Sequence, residues 1–135
     1  MIRTSLAGCD LNRRWANPSD ILHPEIYYAK NMILKQKENR EIAMICDLHG
    51  HSARHNVFMY GNNLEDDPRS CKLFPYIFSR LNPIFKFDYC NFRMQKSKKG
   101  TARINLFEEL DEIPNIFTME ASFSGQNYVM IYNKY

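Results

Sequence analysis

The sequence DLHGHS, residues 47–52, contains the residue types best suited to metal binding or catalysis. It ends a nearly continuous apolar run, residues 42–48, whose length is typical of a strand buried on both faces. Because side chains alternate along a strand, His49 and His51 are expected to share one face. A neutral imidazole there can bind a metal ion through one nitrogen while a carboxylate or carbonyl holds the other. A hydrogen-bonded pair of structural or surface histidines is the alternative.

A complete metal site is not visible in the sequence. No histidine is followed three positions later by glutamate, so the chain contains neither an HxxE nor an HExxH pair. His51 and His55 are four residues apart, which would suit a helix, but the apolar residues NVFMY follow at once. That continuation weakens the hypothesis of a second, independent metal pair.

A second group of candidates lies in DLNRR, residues 10–14. Arginine binds carboxylates through two parallel hydrogen bonds, and a neighbouring asparagine amide adds a directional donor. Asn12 and Arg13 therefore suit the capture of a carboxylate. A solvated loop with an Asx turn is the alternative.

Glu120 lies in the third group, TMEASF, residues 118–123. A carboxylate within an apolar strand is costly to bury without a partner, so it is paired, at the edge of the sheet, or functional. In a desolvated pocket its proton affinity would rise, which suits a general base. An outward-facing glutamate on a half-exposed strand is the alternative.

The fourth group is the basic, glycine-containing stretch at residues 93–103, RMQKSKKGTAR. Such a run is usually a solvated surface. It could also recognise an acidic peptide or nucleic acid, although it lacks the interleaved aromatic residues that stack on single strands.

The elements that must position these groups alternate between helix and strand. Spacings near three and four predict a helix over residues 24–38, and the apolar run predicts a strand over 42–48. Five further segments follow: a short apolar run at 57–61, a helix at 71–82 in which Pro75 indicates a kink or late start, a strand or short helix at 104–110, a strand at 115–123, and a closing apolar run at 128–132. This alternation indicates an α/β fold.

Composition limits the class of protein. With 135 residues and 44% apolar residues, the chain is long enough for one packed domain. A net charge of +3 is far below that of a dedicated nucleic-acid binder. The four cysteines form no CxxC pair, which favours free thiols in a reducing compartment. No apolar stretch approaches the ~20 residues of a membrane span. We therefore expect an intracellular protein with no nucleic-acid and no membrane partner.

Four stretches in this order resemble the zinc carboxypeptidases of the carboxypeptidase A superfamily: RTSLAGCDLNRRW, DLHGHSARHNVFMYG, KSKKGTAR and FTMEASFSG. They extend from residue 3 to residue 125 and are most similar to the cytosolic carboxypeptidases, which trim glutamates from protein tails. The resemblance implies an α/β fold with a mixed, mainly parallel sheet flanked by helices. This chain would form its C-terminal portion.

The resemblance also implies roles for the metal and the chemistry. His49 matches the family's third zinc ligand, at the end of a strand. Glu120 matches the general base that activates water, and Arg3 matches the arginine that polarises the scissile carbonyl and stabilises the oxyanion. One Zn²⁺ per complete domain is implied.

Substrate-binding roles follow from the same resemblance. Asn12 and Arg13 match the pair that binds the terminal carboxylate of the substrate. Arg103 matches a basic residue thought to favour an acidic terminal side chain. The implied partners are acidic C-terminal protein tails, such as those of tubulin, and the implied location is the cytoplasm, at microtubules or cilia.

The family's HxxE segment, which supplies two further zinc ligands, would lie upstream of Asp10. Residues 1–135 are therefore expected to be a partial catalytic domain that is inactive alone. The alternatives are a non-catalytic binder of acidic tails, a related zinc hydrolase of acyl-amino acids, and a nucleic-acid module built on residues 93–103.

Overall fold

The computed structural model describes residues 4–127. The helices are α1 (Pro24–Asn39), α2 (Ser70–Leu81) and α3 (Ala102–Glu109), and the strands are β1 (Ile45–His51), β2 (Val57–Tyr60) and β3 (Ile116–Ser122). Short 3₁₀ turns cover Leu11–Arg13, Phe87–Tyr89 and Lys96–Lys98. Arg3 and the closing apolar run at 128–132 lie outside the described residues.

The three strands form one mixed sheet in the order β1-β3-β2. β1 pairs with β3 in parallel, from Ile45 opposite Ile116 to His51 opposite Ser122. β2 pairs with the other edge of β3 in the antiparallel direction. The predicted α/β class with a mixed sheet is confirmed.

β1 differs from the predicted strand in position and in burial. It begins at Ile45, three residues later than predicted, and continues to His51. The expectation of burial on both faces was wrong, because Leu48 is 73% exposed. His49 and His51 lie on the opposite face from Leu48, as the strand alternation requires.

α1 begins and ends within one residue of its prediction. Of the 104–110 segment, residues 104–109 are helical and belong to α3. The predicted basic loop therefore ends earlier, and Arg103 lies in the first turn of α3 rather than in a loop. Lys30, on α1, connects this helix to α3 and to the segment around Trp15. It donates to the Trp15 carbonyl and to Glu109, each at 2.7 Å.

α2 runs unbroken through Pro75 and begins at Ser70, so the predicted late start was wrong. Proline lacks the N–H that would bond to the Cys71 carbonyl, which costs the helix one hydrogen bond. Burial offsets this loss, because the Pro75 side chain is fully buried. No helix within residues 4–127 is long and apolar enough to cross a bilayer.

β3 contributes to two apolar clusters. Ile116 packs with Leu106, Phe107 and Leu110 around α3, whereas Phe117 packs with Met59 and Phe85. Consecutive side chains on a strand point to opposite faces, so helices and loops cover both faces of β3 at this end. β3 is thus buried at this end and half-buried where Glu120 lies.

Candidate active site

The parallel register of β1 and β3 brings two of the candidate residues together. His49 is paired with Glu120, and Asp47 is paired with Thr118, on the same face of the sheet. Neighbouring strands lie about 4.8 Å apart, so paired side chains on one face are direct neighbours. The histidine and the carboxylate, 71 positions apart in the sequence, therefore occupy one site.

A cavity of about 390 Å³ opens above this face of the sheet. Its walls contain the predicted residues that the structure describes: His49, Glu120, Asn12, Arg13 and Arg103. Glu120 is half-buried in this wall, which disfavours the alternative of a side chain turned away into solvent. Arg3 lies outside the described residues, and its role stays a prediction.

Asn12 connects the site to α3. Its Oδ1 accepts a hydrogen bond from the backbone N–H of Ala102, the first residue of α3, at 2.9 Å. Its Nδ2 then faces Asp47, to whose Oδ2 it donates at 3.3 Å, and lies 3.2 Å from His49 Nε2. The Asx turn suggested as an alternative is also present, but at Asp10, whose Oδ1 accepts from the Asn12 N–H.

The His49 ring is held by a carboxylate two residues earlier. His49 Nε2 lies 2.7 Å from Asp47 Oδ2, and the two side chains are 17% and 28% exposed. A carboxylate can only accept, so Nε2 is the protonated nitrogen, and in the neutral ring the lone pair lies on Nδ1. A metal ligand is commonly oriented in this way by a carboxylate on its other nitrogen.

The Arg13 segment is fixed by a close backbone approach. The Trp15 N–H donates to the Gly100 carbonyl at 3.1 Å. A Cβ at Gly100 would lie 2.6 Å from the Arg13 carbonyl oxygen, so only glycine fits there. The Arg13 guanidinium lines the cavity, and its Nη1 donates to the Asn12 carbonyl at 2.7 Å.

Arg103 is buried in the cavity wall, with 7% exposure. Its Nη1 donates to the Gly61 carbonyl and, at 2.8 Å, to Asn62 Oδ1. Asn62 in turn donates to the Ile116 carbonyl at 3.1 Å. Burial lowers the pKa of Arg103 to about 10, so the guanidinium remains a cation at neutral pH.

His51 lines the cavity but has a different task. Its Nδ1 accepts the backbone N–H groups of Ala53 and Arg54, each at 3.1 Å, which shapes the turn after β1. The lone pair of Nδ1 is therefore used within the loop. Residues 52–55 are not helical, so His51 and His55 do not form a pair on one face of a helix.

Sequence reasoning did not assign roles to three further residues in the site: Asp47, Arg93 and Lys98. The signal for Asp47 was its spacing of two from His49, which places both on one strand face. Arg93 and Lys98 belong to the basic stretch expected to be solvated, yet both line the cavity. Among residues 4–127, no group of three or more His, Cys, Asp or Glu side chains could hold a metal ion.

The fold is that of the metallo-carboxypeptidases. A solved metallo-carboxypeptidase from Burkholderia cenocepacia superposes with a TM-score of 0.75 and 22% identity, over 90% of this chain and 31% of that one. A second carboxypeptidase-fold structure, from Shewanella denitrificans OS-217, superposes with a TM-score of 0.70 and 23% identity, over 90% of this chain and 32% of that one. No family model matches the sequence.

Curated proteins that are similar in sequence are cytosolic carboxypeptidases. Cytosolic carboxypeptidase 3 of Bos taurus is 42% identical over 128 residues, which are 91% of this chain and 13% of that protein. Cytosolic carboxypeptidase 2 of Danio rerio is 42% identical over 127 residues, covering 91% of this chain and 17% of the relative. The chain is thus a homologue of the cytosolic carboxypeptidases, and it spans less than a fifth of their length.

Proposed function

We propose that this chain is part of the catalytic domain of a metallocarboxypeptidase. The observation that carries the proposal is the pairing of His49 with Glu120 in a cavity that also contains Arg13. In one cavity, an imidazole can serve as a metal ligand and a carboxylate can transfer a proton. A guanidinium can bind the terminal carboxylate of a substrate. The homology to cytosolic carboxypeptidases supports the same activity.

The site fits one ligand of a zinc ion. His49 would bind the ion through Nδ1, because Asp47 holds Nε2. Residues 4–127 offer no group of three metal-binding side chains. The resemblance to HxxE-containing enzymes implies that the histidine and glutamate of such a segment would supply two further ligands. When bound, the ion polarises the scissile carbonyl and lowers the pKa of water.

Glu120 carries the proton. Its carboxylate takes a proton from water as the water oxygen bonds to the carbonyl carbon of the substrate. The proton then passes to the leaving nitrogen as the C–N bond breaks, which releases the terminal amino acid. Arg3, by its resemblance to the family's residue, stabilises the oxyanion.

Arg13 binds the terminal carboxylate of the substrate. It lies in the cavity wall beside the metal ligand, and guanidinium groups bind carboxylates through two bonds. Asn12, the predicted second donor, is engaged with Asp47 and Ala102. In the absence of substrate, the Asn12 amide therefore connects Asp47 to the N-terminus of α3.

The cavity favours an acidic substrate. Among the residues that the structure describes, four cationic side chains line it, Arg13, Arg93, Lys98 and Arg103, and one carboxylate, that of Glu120. This balance supports removal of glutamate from acidic C-terminal tails, with tubulin as a candidate. The names of the relatives, cytosolic carboxypeptidases, support a cytoplasmic location, and tubulin as substrate would place the protein at microtubules or cilia.

A non-catalytic binder of acidic tails is the second candidate function. The same cations would suffice for it, and it would need no metal. The resemblance also left open a zinc hydrolase of acyl-amino acids, which would accept small substrates but not long peptides.

The test uses the full-length protein that contains this chain and a set of matched peptides. We expect release of the last residue from a peptide ending in free glutamate, and little release when that residue is leucine or when its carboxylate is amidated. A zinc chelator should abolish release, and added Zn²⁺ should restore it. Binding of the acidic peptide without release, unaffected by the chelator, would favour the non-catalytic binder.

A further inference from the structure

The Asp47 carboxylate receives two donors at one oxygen. Its Oδ2 lies 2.7 Å from His49 Nε2 and 3.3 Å from Asn12 Nδ2. Asp47 and His49 both lie on β1 and share a strand face, so their side chains can meet without any contribution from a loop.

The orientation of the Asn12 amide is fixed independently of the histidine. Ala102 contributes a backbone N–H, which can only donate, so the atom that faces it at 2.9 Å is the Asn12 oxygen. The Asn12 nitrogen must then face Asp47 and His49. Because this NH₂ group is also a donor, it does not compete with Asp47 as an acceptor for the His49 proton.

We propose that Asp47 is a positioning residue that keeps the proton of His49 on Nε2, so that Nδ1 is the nitrogen of the neutral ring that can bind a metal ion. Asn12 holds the Asp47 carboxylate in place, and the N-terminus of α3 holds Asn12. The metal-binding consequence of this chain of contacts rests on the proposed function. The location of the proton does not.

The first experiment locates that proton in the metal-free full-length protein that contains this chain. Long-range ¹H–¹⁵N correlations of the ¹⁵N-labelled imidazole are recorded at about pH 8, where an ordinary histidine is neutral. We expect the His49 proton on Nε2, shifted downfield and slow to exchange because its bond to a carboxylate is charge-assisted. It should move upfield in Asp47→Asn and exchange rapidly in Asp47→Ala.

Asp10→Asn is the matched control. It removes an equal charge from the same local network, at a carboxylate that accepts from the Asn12 N–H rather than from His49. The His49 proton should be unchanged in this variant. A proton on Nδ1 in the wild type, or a proton equally shifted and slow to exchange in Asp47→Asn, would overturn the proposal. Asp47→Asn keeps the side-chain shape if Asp47→Ala does not fold.

The second experiment measures the Zn²⁺ affinity of the full-length protein by competition with a chromophoric chelator. Loss of such an orienting partner typically weakens metal binding about 10–100-fold. We expect a loss of that size in Asp47→Ala and none in Asp10→Asn. If the proton moves as expected but the zinc affinity of Asp47→Ala is unchanged, the orienting role is overturned while the carboxypeptidase proposal stands. If the wild type binds no zinc, the proposed function fails first.

Discussion

Arg103 shows how one buried side chain can serve both the fold and the site. Arg103 lies in the first turn of α3, and its guanidinium donates to Gly61 and Asn62, which follow β2. Asn62 continues the connection to the backbone of β3. The proposed role in binding an acidic side chain therefore acts from a rigidly held cation.

We predict that Arg103→Met lowers the free energy of unfolding by about 1–3 kcal/mol, because buried acceptors lose their donor. Urea denaturation of the chain measures this loss. Arg93→Met is the control, since Arg93 is exposed and its replacement should change stability by less than about 0.5 kcal/mol. Equal stability of the two variants would show that the buried contacts contribute nothing.

At the residue level, residue type and resemblance identified His49 and Glu120 from the sequence. They did not identify the side chains that hold the site residues in place. The Asp47–His49 contact depends on side-chain rotamers, which strand spacing permits but does not dictate. Arg103 was expected in a loop, although Thr101 is a residue type that is common at helix N-caps. In the structure Thr101 is the N-cap residue of α3 but makes no side-chain capping bond.

At the scale of elements, α3 is capped from 90 positions away. Asn12 Oδ1 accepts the Ala102 N–H, one of the four N–H groups at a helix N-terminus that have no partner within the helix. A cap so distant in sequence leaves no local signal. By contrast, α1 carries its own signals, Pro24 at the first turn and a regular apolar spacing, and its prediction was correct within one residue.

We predict that Asn12→Ala lowers the free energy of unfolding by about 1 kcal/mol through loss of the cap. Asn12→Asp separates the two tasks of this residue. An aspartate could still cap α3, and its charge would suit the helix N-terminus, but it would face the Asp47 carboxylate. We expect Asn12→Asp to be at least as destabilising as Asn12→Ala, and Asp47→Asn to relieve it. A neutral or stabilising Asn12→Asp would mean that capping alone matters.

Gly100→Ala tests the contact between the Arg13 segment and the basic stretch. The new Cβ would lie 2.6 Å from a backbone oxygen that cannot move without shifting Arg13. Overpacking of this kind costs about 1–3 kcal/mol, and we expect weaker binding of peptides with a free C-terminus as well. Ser97→Ala, at an exposed position of the same basic stretch and outside the cavity lining, should leave peptide binding unchanged. Fluorescence anisotropy with a labelled peptide measures both variants.

Over the molecule as a whole, charge is concentrated rather than abundant. Lys and Arg exceed Asp and Glu by only 18 to 15, yet four cations from the described part of the chain line the cavity. Composition alone therefore understated the attraction for acidic ligands, because it does not show where charges lie. The exposure of Leu48 was missed for a similar reason: an apolar run indicates a strand, but not what covers each face.

We predict that binding of a glutamate-rich peptide weakens as salt increases, because exposed cations are screened within about 8 Å at physiological ionic strength. The double variant Arg93→Gln, Lys98→Gln should bind more weakly and show a smaller salt dependence. A matched pair, Lys35→Gln with Arg80→Gln, lies outside the cavity lining and should leave both properties unchanged. Titration over a range of salt concentrations measures both properties.

The most direct test of the account is the rate at which the full-length protein releases glutamate from a peptide terminus, compared between wild type and Glu120→Gln. General acid–base catalysis typically contributes about 10²–10⁴-fold, so a loss of that size in kcat is expected, with peptide binding and zinc content retained. A Glu120→Gln protein that releases glutamate at nearly the wild-type rate would contradict the assignment of the site.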